Sequence, residues 1–63
     1  MYVIEAQLTD GRTWTATAES SAGIRIELNC APPFKKVLLH EFVRVGDHAI
    51  NDWRKVGVRE WKH

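Results

Sequence analysis

The chain has little that could hold a small fold together covalently. Its 63 residues include a single cysteine, so no disulfide can form within the chain. This length supports one hydrophobic core, and we expect a single domain, residues 1–63. Small domains commonly rely on disulfides, metals or partner chains for stability, so a homodimer is one arrangement that the length favours.

Long apolar runs are also missing, and the first residues do not predict a secretory leader. No segment approaches the ~18 consecutive apolar residues of a membrane-spanning helix. Residues 1–5 have no basic head followed by an apolar stretch, as a signal peptide would. Together with the single cysteine, these features predict a cytoplasmic protein without membrane association.

Residues that could bind a metal or perform catalysis are few and unsuitably spaced. The candidates are Cys30, His40, His48, His63, Asp47 and Asp52. They contain no Cys-x-x-Cys or His-x-x-x-His pair, and no phosphate-binding glycine loop occurs. A Cys30–His40 pair would have to meet across a proline-containing loop. We therefore expect no metal, no cofactor and no enzymatic activity.

The charge is nearly balanced overall but differs between the two halves. The formal net charge is +1. Residues 1–31 carry two arginines against four carboxylates, a net −2, and residues 32–63 carry seven basic against four acidic side chains, a net +3. An anionic partner would therefore meet the second half.

The first half alternates apolar and polar residues in three consecutive runs, at 2–8, 13–19 and 24–30. This period of two predicts three antiparallel strands. A three-residue loop at 9–11, with Gly11 in the left-handed conformation, pairs Ala6 with Trp14 and Ile4 with Ala16. We predict a three-stranded meander with the second strand in the centre, in which Trp14 and Cys30 face the core.

The second half permits two interpretations. A helix at about 33–44 would place Phe34, Val37, Leu38, Phe42 and Val45 on one face. Strands at about 39–45, 48–50 and 55–61 are favoured, because valine is frequent and Gly46-Asp47 is a hairpin signal that would pair Val43 with Ile50. A turn at Asn51-Asp52 would precede the last strand, and a short helical turn at 33–36 fits either interpretation.

The favoured architecture is mainly β, a five- or six-stranded antiparallel roll or barrel of SH3-like size. The alternative is an α+β fold in which one helix at 33–44 packs on the meander.

The C-terminal segment mixes two tryptophans with basic residues. The candidate binding residues are Trp53, Arg54, Lys55, Arg59, Trp61 and Lys62. In a strand at 55–61, Val56 and Val58 would point inward, and Lys55, Gly57, Arg59 and Trp61 would form an outward stripe. Tryptophan and arginine are enriched at protein interfaces, and aromatic rings among basic residues also suit single-stranded nucleic acid. Alternatively, Trp53 and Trp61 close the ends of a barrel.

Residues 23–32, followed by 37–41, resemble the central segment of the carbon storage regulator family. The resemblance covers under a third of the chain, needs a shifted spacing after the proline, and does not extend to the first two strands or the tail. That family consists of small, dimeric, RNA-binding β proteins, and no functional residues are transferred from it. The small size is also similar to that of short phage proteins that inhibit host enzymes.

We therefore expect a non-enzymatic binding module that recognises a protein, as a small regulator or inhibitor. A β-barrel that binds RNA or single-stranded DNA and a structural homo-oligomer subunit are the alternatives.

Overall fold

A computed structural model describes residues 1–46 and 52–62. The elements in chain order are β1 (Tyr2–Leu8), β2 (Thr13–Ala18), α1 (Ser21–Cys30), β3 (Phe34–Val45) and β4 (Asp52–Glu60). All strand pairs are antiparallel, and the order across the sheet is β2-β1-β3-β4. The prediction of a mainly β, antiparallel protein is confirmed.

The β1–β2 hairpin has the predicted register. Ala6 pairs with Trp14, Ile4 with Ala16 and Tyr2 with Ala18. Gly11 adopts a φ of +91°, as a three-residue loop requires. In that loop, the backbone N–H and the guanidinium of Arg12 donate hydrogen bonds to the carboxylate of Asp10, and these bonds lower the Asp10 pKa.

The third strand of the predicted meander is wrong, because residues 21–30 form helix α1. Ser20 caps the helix by accepting a hydrogen bond from the backbone N–H of Gly23 (3.2 Å). Ile24 and Leu28 are buried one turn apart, whereas Ile26 is 64% exposed and Cys30 is exposed. The alternation at 24–30 therefore has a different origin: 24 and 28 also share one face of a helix, and 26 and 30 fall on the other side.

β1 is an inner strand, and β2 lies at the edge of the sheet, contrary to the predicted order. Helix α1 causes this order. It takes the chain from β2 across one face of the sheet to the far side of β1, and β3 pairs with β1 there. β3 begins at Phe34, directly after Pro33, and continues for 12 residues. The alternative helix at 33–44 and the helical turn at 33–36 are therefore wrong, and the predicted strand at 39–45 is confirmed as part of β3.

The last strand starts earlier than predicted. Asp52 already belongs to β4, and Val43 pairs with Arg54 rather than Ile50. The predicted strand at 48–50 lies outside the described residues. The described part of the chain forms one open sheet of four strands, so a five- or six-stranded roll or barrel is not confirmed.

The core lies between α1 and one face of the sheet. Its buried members are apolar residues of the strands and the helix: Ile4, Ala6, Leu8, Ala18, Ile24, Leu28, Val37 and Leu39. Trp14, which was predicted to face the core, is half-buried against it.

We call the sheet face away from α1 the open face. His40 and Glu5 interact there across β1 and β3, with 2.9 Å between Nε2 and Oε1. None of the helical residues described is part of a segment long and apolar enough to cross a membrane.

Candidate binding groove and strand surface

The six predicted binding residues lie on different surfaces of the molecule. β3 and β4 pair with a register shift, in which Glu41 faces Gly57 but Phe42 faces Lys55, so Val56 is an extra residue on β4. The shift interrupts the alternation of β4. As a result, Arg59 lies on the face that carries α1, whereas Lys55 lies on the open face.

This bulge also changes the predicted stripe. Gly57, Arg59 and Trp61 share a face as expected, but Lys55 does not join them. Val56 and Val58 were predicted to point inward, and this is wrong: their exposures are 52% and 53%. Val58 pairs with His40 on the open face, which α1 does not cover, so within residues 1–46 and 52–62 its side chain has no second layer to pack against.

Trp61 and Lys62 follow β4 and meet helix α1. The backbone N–H of Trp61 donates to the carbonyl of Val37 (2.9 Å), which extends the β3–β4 ladder by one residue. The indole is half-buried and packs against the core. Trp61 is thus fixed both by its backbone and by its ring.

A groove of about 380 Å³ opens between the helix and this tail. It is lined by Arg25, Leu28 and Asn29 of α1 and by Trp61 and Lys62. We call these five residues the groove. Leu28 and Trp61 provide its apolar surface, and Asn29 adds an amide that can donate and accept hydrogen bonds.

The charge of the groove has one sign. Arg25 and Lys62 are cations, and none of the five lining residues is acidic. Both cations are exposed, so they can reach a ligand without being buried beforehand. The groove is therefore suited to an apolar group that carries or adjoins a negative charge.

Trp53 and Lys55 lie at the opposite end of β4 on the open face. Trp53 pairs with Arg44, whose guanidinium carbon is 5.4 Å from the centre of a Trp53 ring. This pair belongs to a two-stranded extension, which we call the ribbon, where Val43–Val45 pair with residues 52–54 beyond the end of β1. Arg54, also in the ribbon, pairs with Val43 on the other face.

The structure keeps the candidate catalytic pair apart. Cys30 ends α1 and is exposed, whereas His40 bonds Glu5 on the open face, on the other side of the sheet. Cys30 was predicted to be a buried core residue, and this is wrong because the residue lies on a helix rather than a strand.

His48, His63 and Asp47 lie outside the described residues. Across residues 1–46 and 52–62, no group of three His, Cys, Asp or Glu side chains could hold a metal.

Sequence reasoning missed the helical half of the groove. In the strand predicted at 24–30, the alternation places Arg25 and Asn29 among the polar residues, on the side away from the core. On a helix, residues four apart lie one turn from each other on the same face, and Leu28 lies beside them. The signal that could have revealed this is the serine pair at 20–21, which marks a helix start before Ile24 and Leu28.

Comparison with known proteins finds no family model, curated protein or solved structure that matches the chain. The segment that resembles the carbon storage regulator family is helical from Ser21 to Cys30. The β structure that this resemblance implies is therefore wrong for that segment.

Proposed function

We propose that the chain is a non-enzymatic binding module that recognises a protein partner through the groove, as a small regulator or inhibitor. The observation that carries this proposal is the composition of the groove, which is lined by a half-buried tryptophan, a buried leucine and two exposed cations. Tryptophan and arginine are the residues that most often dominate binding energy at protein interfaces.

The geometry of the groove favours a particular partner chemistry. An apolar side chain of the partner would contact Leu28 and Trp61, while a neighbouring carboxylate would meet Arg25 or Lys62. Arginine can bind a carboxylate through two parallel hydrogen bonds, which adds geometric selectivity to charge. The expected ligand is therefore an acidic segment that contains a large apolar residue.

Charge reversal tests the groove better than removal of its tryptophan. Trp61 also packs against the core, so Trp61→Ala would lower stability as well as binding. Arg25 and Lys62 are exposed, and the double variant Arg25→Glu/Lys62→Glu should fold normally. We expect it to weaken partner binding by about tenfold or more, since two favourable charge contacts become repulsive.

The experiment is capture of partners from an extract of the native host on the immobilised chain, with and without nuclease. A protein should be retained after nuclease treatment and lost with the double variant. Lys35→Glu/Lys36→Glu is the matched control, because it reverses the charge of two exposed lysines of β3 that do not line the groove, and it should retain the partner. Equal capture by all three chains would refute the groove as the contact surface.

The ribbon supports a second candidate function, binding of single-stranded RNA or DNA on the open face. Trp53 is 38% exposed beside Arg44, with Lys55 on the same face, an arrangement that allows base stacking next to cations. Binding of a fluorescent oligonucleotide should then fall steeply between about 50 and 200 mM salt and depend on Trp53. Lack of binding at the lower salt concentration would exclude this candidate.

A further inference from the structure

β4 is a long strand at the edge of the sheet, and no described strand pairs with its outer side. It contains nine residues, all of which are exposed, and the order β2-β1-β3-β4 places it last. Three apolar side chains, Trp53, Val56 and Val58, are exposed along it. A strand of this kind can pair with another strand through its backbone.

The hydrogen bonds of the sheet identify which backbone groups of β4 point outward. Trp61 bonds Val37, so its backbone groups face β3, and alternation then turns those of Glu60 outward. The same alternation along the strand turns the backbone groups of Val58 outward.

The ribbon end gives the corresponding result beyond the bulge. The backbone N–H and C=O of Phe42 point toward β1, where Phe42 exchanges hydrogen bonds with Met1. Phe42 therefore forms no backbone hydrogen bond with Lys55, its partner on β4, and the backbone groups of Lys55 point outward. The backbone groups of Trp53, two residues earlier, also point outward. The outward set is therefore Trp53, Lys55, Val58 and Glu60.

The spacing within this set is irregular. Outward groups of a regular strand recur every two residues, but the bulge at Val56 leaves three residues from Lys55 to Val58. A regular extended peptide can match only one half of β4. A strand with the same three-residue step at its middle matches both halves, and a second copy of β4 has that step.

We propose that two copies of this chain form a twofold dimer by antiparallel pairing of their β4 edges about Val56 and Gly57. In this register Lys55 bonds Val58 of the second copy, and Trp53 bonds Glu60 of the second copy. All four outward residues of each copy thus find hydrogen-bonding partners, and the bulge, which hinders pairing with other strands, becomes the element that selects a second copy. The pairing reaches the edge of the groove, where Asp52 would lie opposite Trp61 of the second copy, but it rests on the backbone of β4 and goes beyond the proposed function.

The charges along β4 support the same register. Lys55 lies diagonally across from Glu60 of the second copy on the open face, and the twofold axis repeats this pair. Arg54 faces Arg59 of the second copy, but Asp52 lies diagonal to that arginine and offsets the repulsion.

Proline at an outward position tests the pairing without removing a hydrogen bond inside the monomer. Val58→Pro deletes an outward N–H of β4. Thr15→Pro is the matched control on the other edge, because Leu8 bonds Arg12 and alternation turns Thr15 outward on β2. In analytical ultracentrifugation the unmodified chain and Thr15→Pro should be dimers, and Val58→Pro should be a monomer. An unmodified chain that stays monomeric at several hundred micromolar, or a dimeric Val58→Pro, would overturn the proposal.

A charge exchange tests the same pairing if a proline variant fails to fold. Lys55→Glu should raise the dimer dissociation constant at least about tenfold, and adding Glu60→Lys should restore it, because the diagonal pairs are then rebuilt with reversed sign. Unchanged dimerisation in Lys55→Glu would show that this register is wrong.

NMR gives the register directly. In the dimer the α-protons of Arg54 and Arg59 of the second copy face each other, with Cα atoms about 4.5 Å apart. Within one chain the two residues are five positions apart on a strand, about 16 Å. A nuclear Overhauser effect between these protons can therefore arise only between copies, and its absence in a dimeric sample would contradict the proposed pairing.

Discussion

Replacement of Ile24 by alanine should remove much of the apolar packing between α1 and the sheet. Ile24 and Leu28 are the two buried residues of α1, and Ile24 is fully inaccessible to solvent. Ile26 lies two residues further along the helix and is 64% exposed. Ile26→Ala is therefore a control with the same chemical change on the same element.

The expected magnitudes follow from burial. Truncating a buried isoleucine to alanine costs about 2–5 kcal/mol through lost burial and the cavity left behind, and we expect about 3 kcal/mol for Ile24. A domain of this length has a total stability of about 3–9 kcal/mol, so this is a large fraction. Ile26→Ala should stay within about 0.5 kcal/mol, because it empties no core site and alanine is the better helix former.

Urea titrations followed by circular dichroism would measure both variants. We expect the Ile24→Ala midpoint to fall strongly and the thermal midpoint to drop by about 12–24 °C, whereas Ile26→Ala remains close to the unmodified chain. A strand at 24–30 would bury both side chains on one face. Equal destabilisation by the two substitutions would therefore refute the helix and its packing.

Two further predictions concern local backbone structure, and both are measured as changes in the free energy of unfolding. Ser20→Ala should cost about 1 kcal/mol because it removes the acceptor for the Gly23 N–H, while Ser21→Ala should be nearly neutral. If both serines behaved alike, Ser20 would not be the cap. Gly11→Ala should also cost about 1 kcal/mol, since its φ is +91° although no atom obstructs a Cβ. Gly57→Ala has equal space and no positive φ, and should be close to neutral; an equal loss at both glycines would contradict this account.

The parts of the fold that sequence patterns predicted correctly depend on local interactions. The β1–β2 register follows from alternation and from the conformation that Gly11 permits, both within a few residues of the turn. The strand at 39–45 was predicted for a related reason, since valines suit a pleated surface.

The helix was missed because the sequence at 24–30 fits both the periodicity of a strand and that of a helix. Ile24 and Leu28 fit both a strand and a helix, and Ile26 completes an alternation that is accidental. Length and the cap at Ser20 decide in favour of the helix. That single error also moved β2 from the edge to the centre of the predicted sheet.

The groove could be predicted only in part. Trp61 and Lys62 were recognised from their residue types, but their neighbours Arg25 and Asn29 are more than thirty positions away in the sequence. Their proximity depends on how α1 packs and on the extension of the β3–β4 ladder to Trp61. The bulge at Val56 was not predicted, although Gly57 directly follows it and a glycine inside a strand often marks a bulge.

NMR titration of the ¹⁵N-labelled chain with its captured partner tests the groove most directly. The largest chemical-shift changes should occur at the Trp61 indole N–H, the Asn29 side-chain amide and the backbone of Arg25 and Lys62. Changes concentrated at Trp53 and the rest of the ribbon, with the groove signals unmoved, would contradict the proposed function.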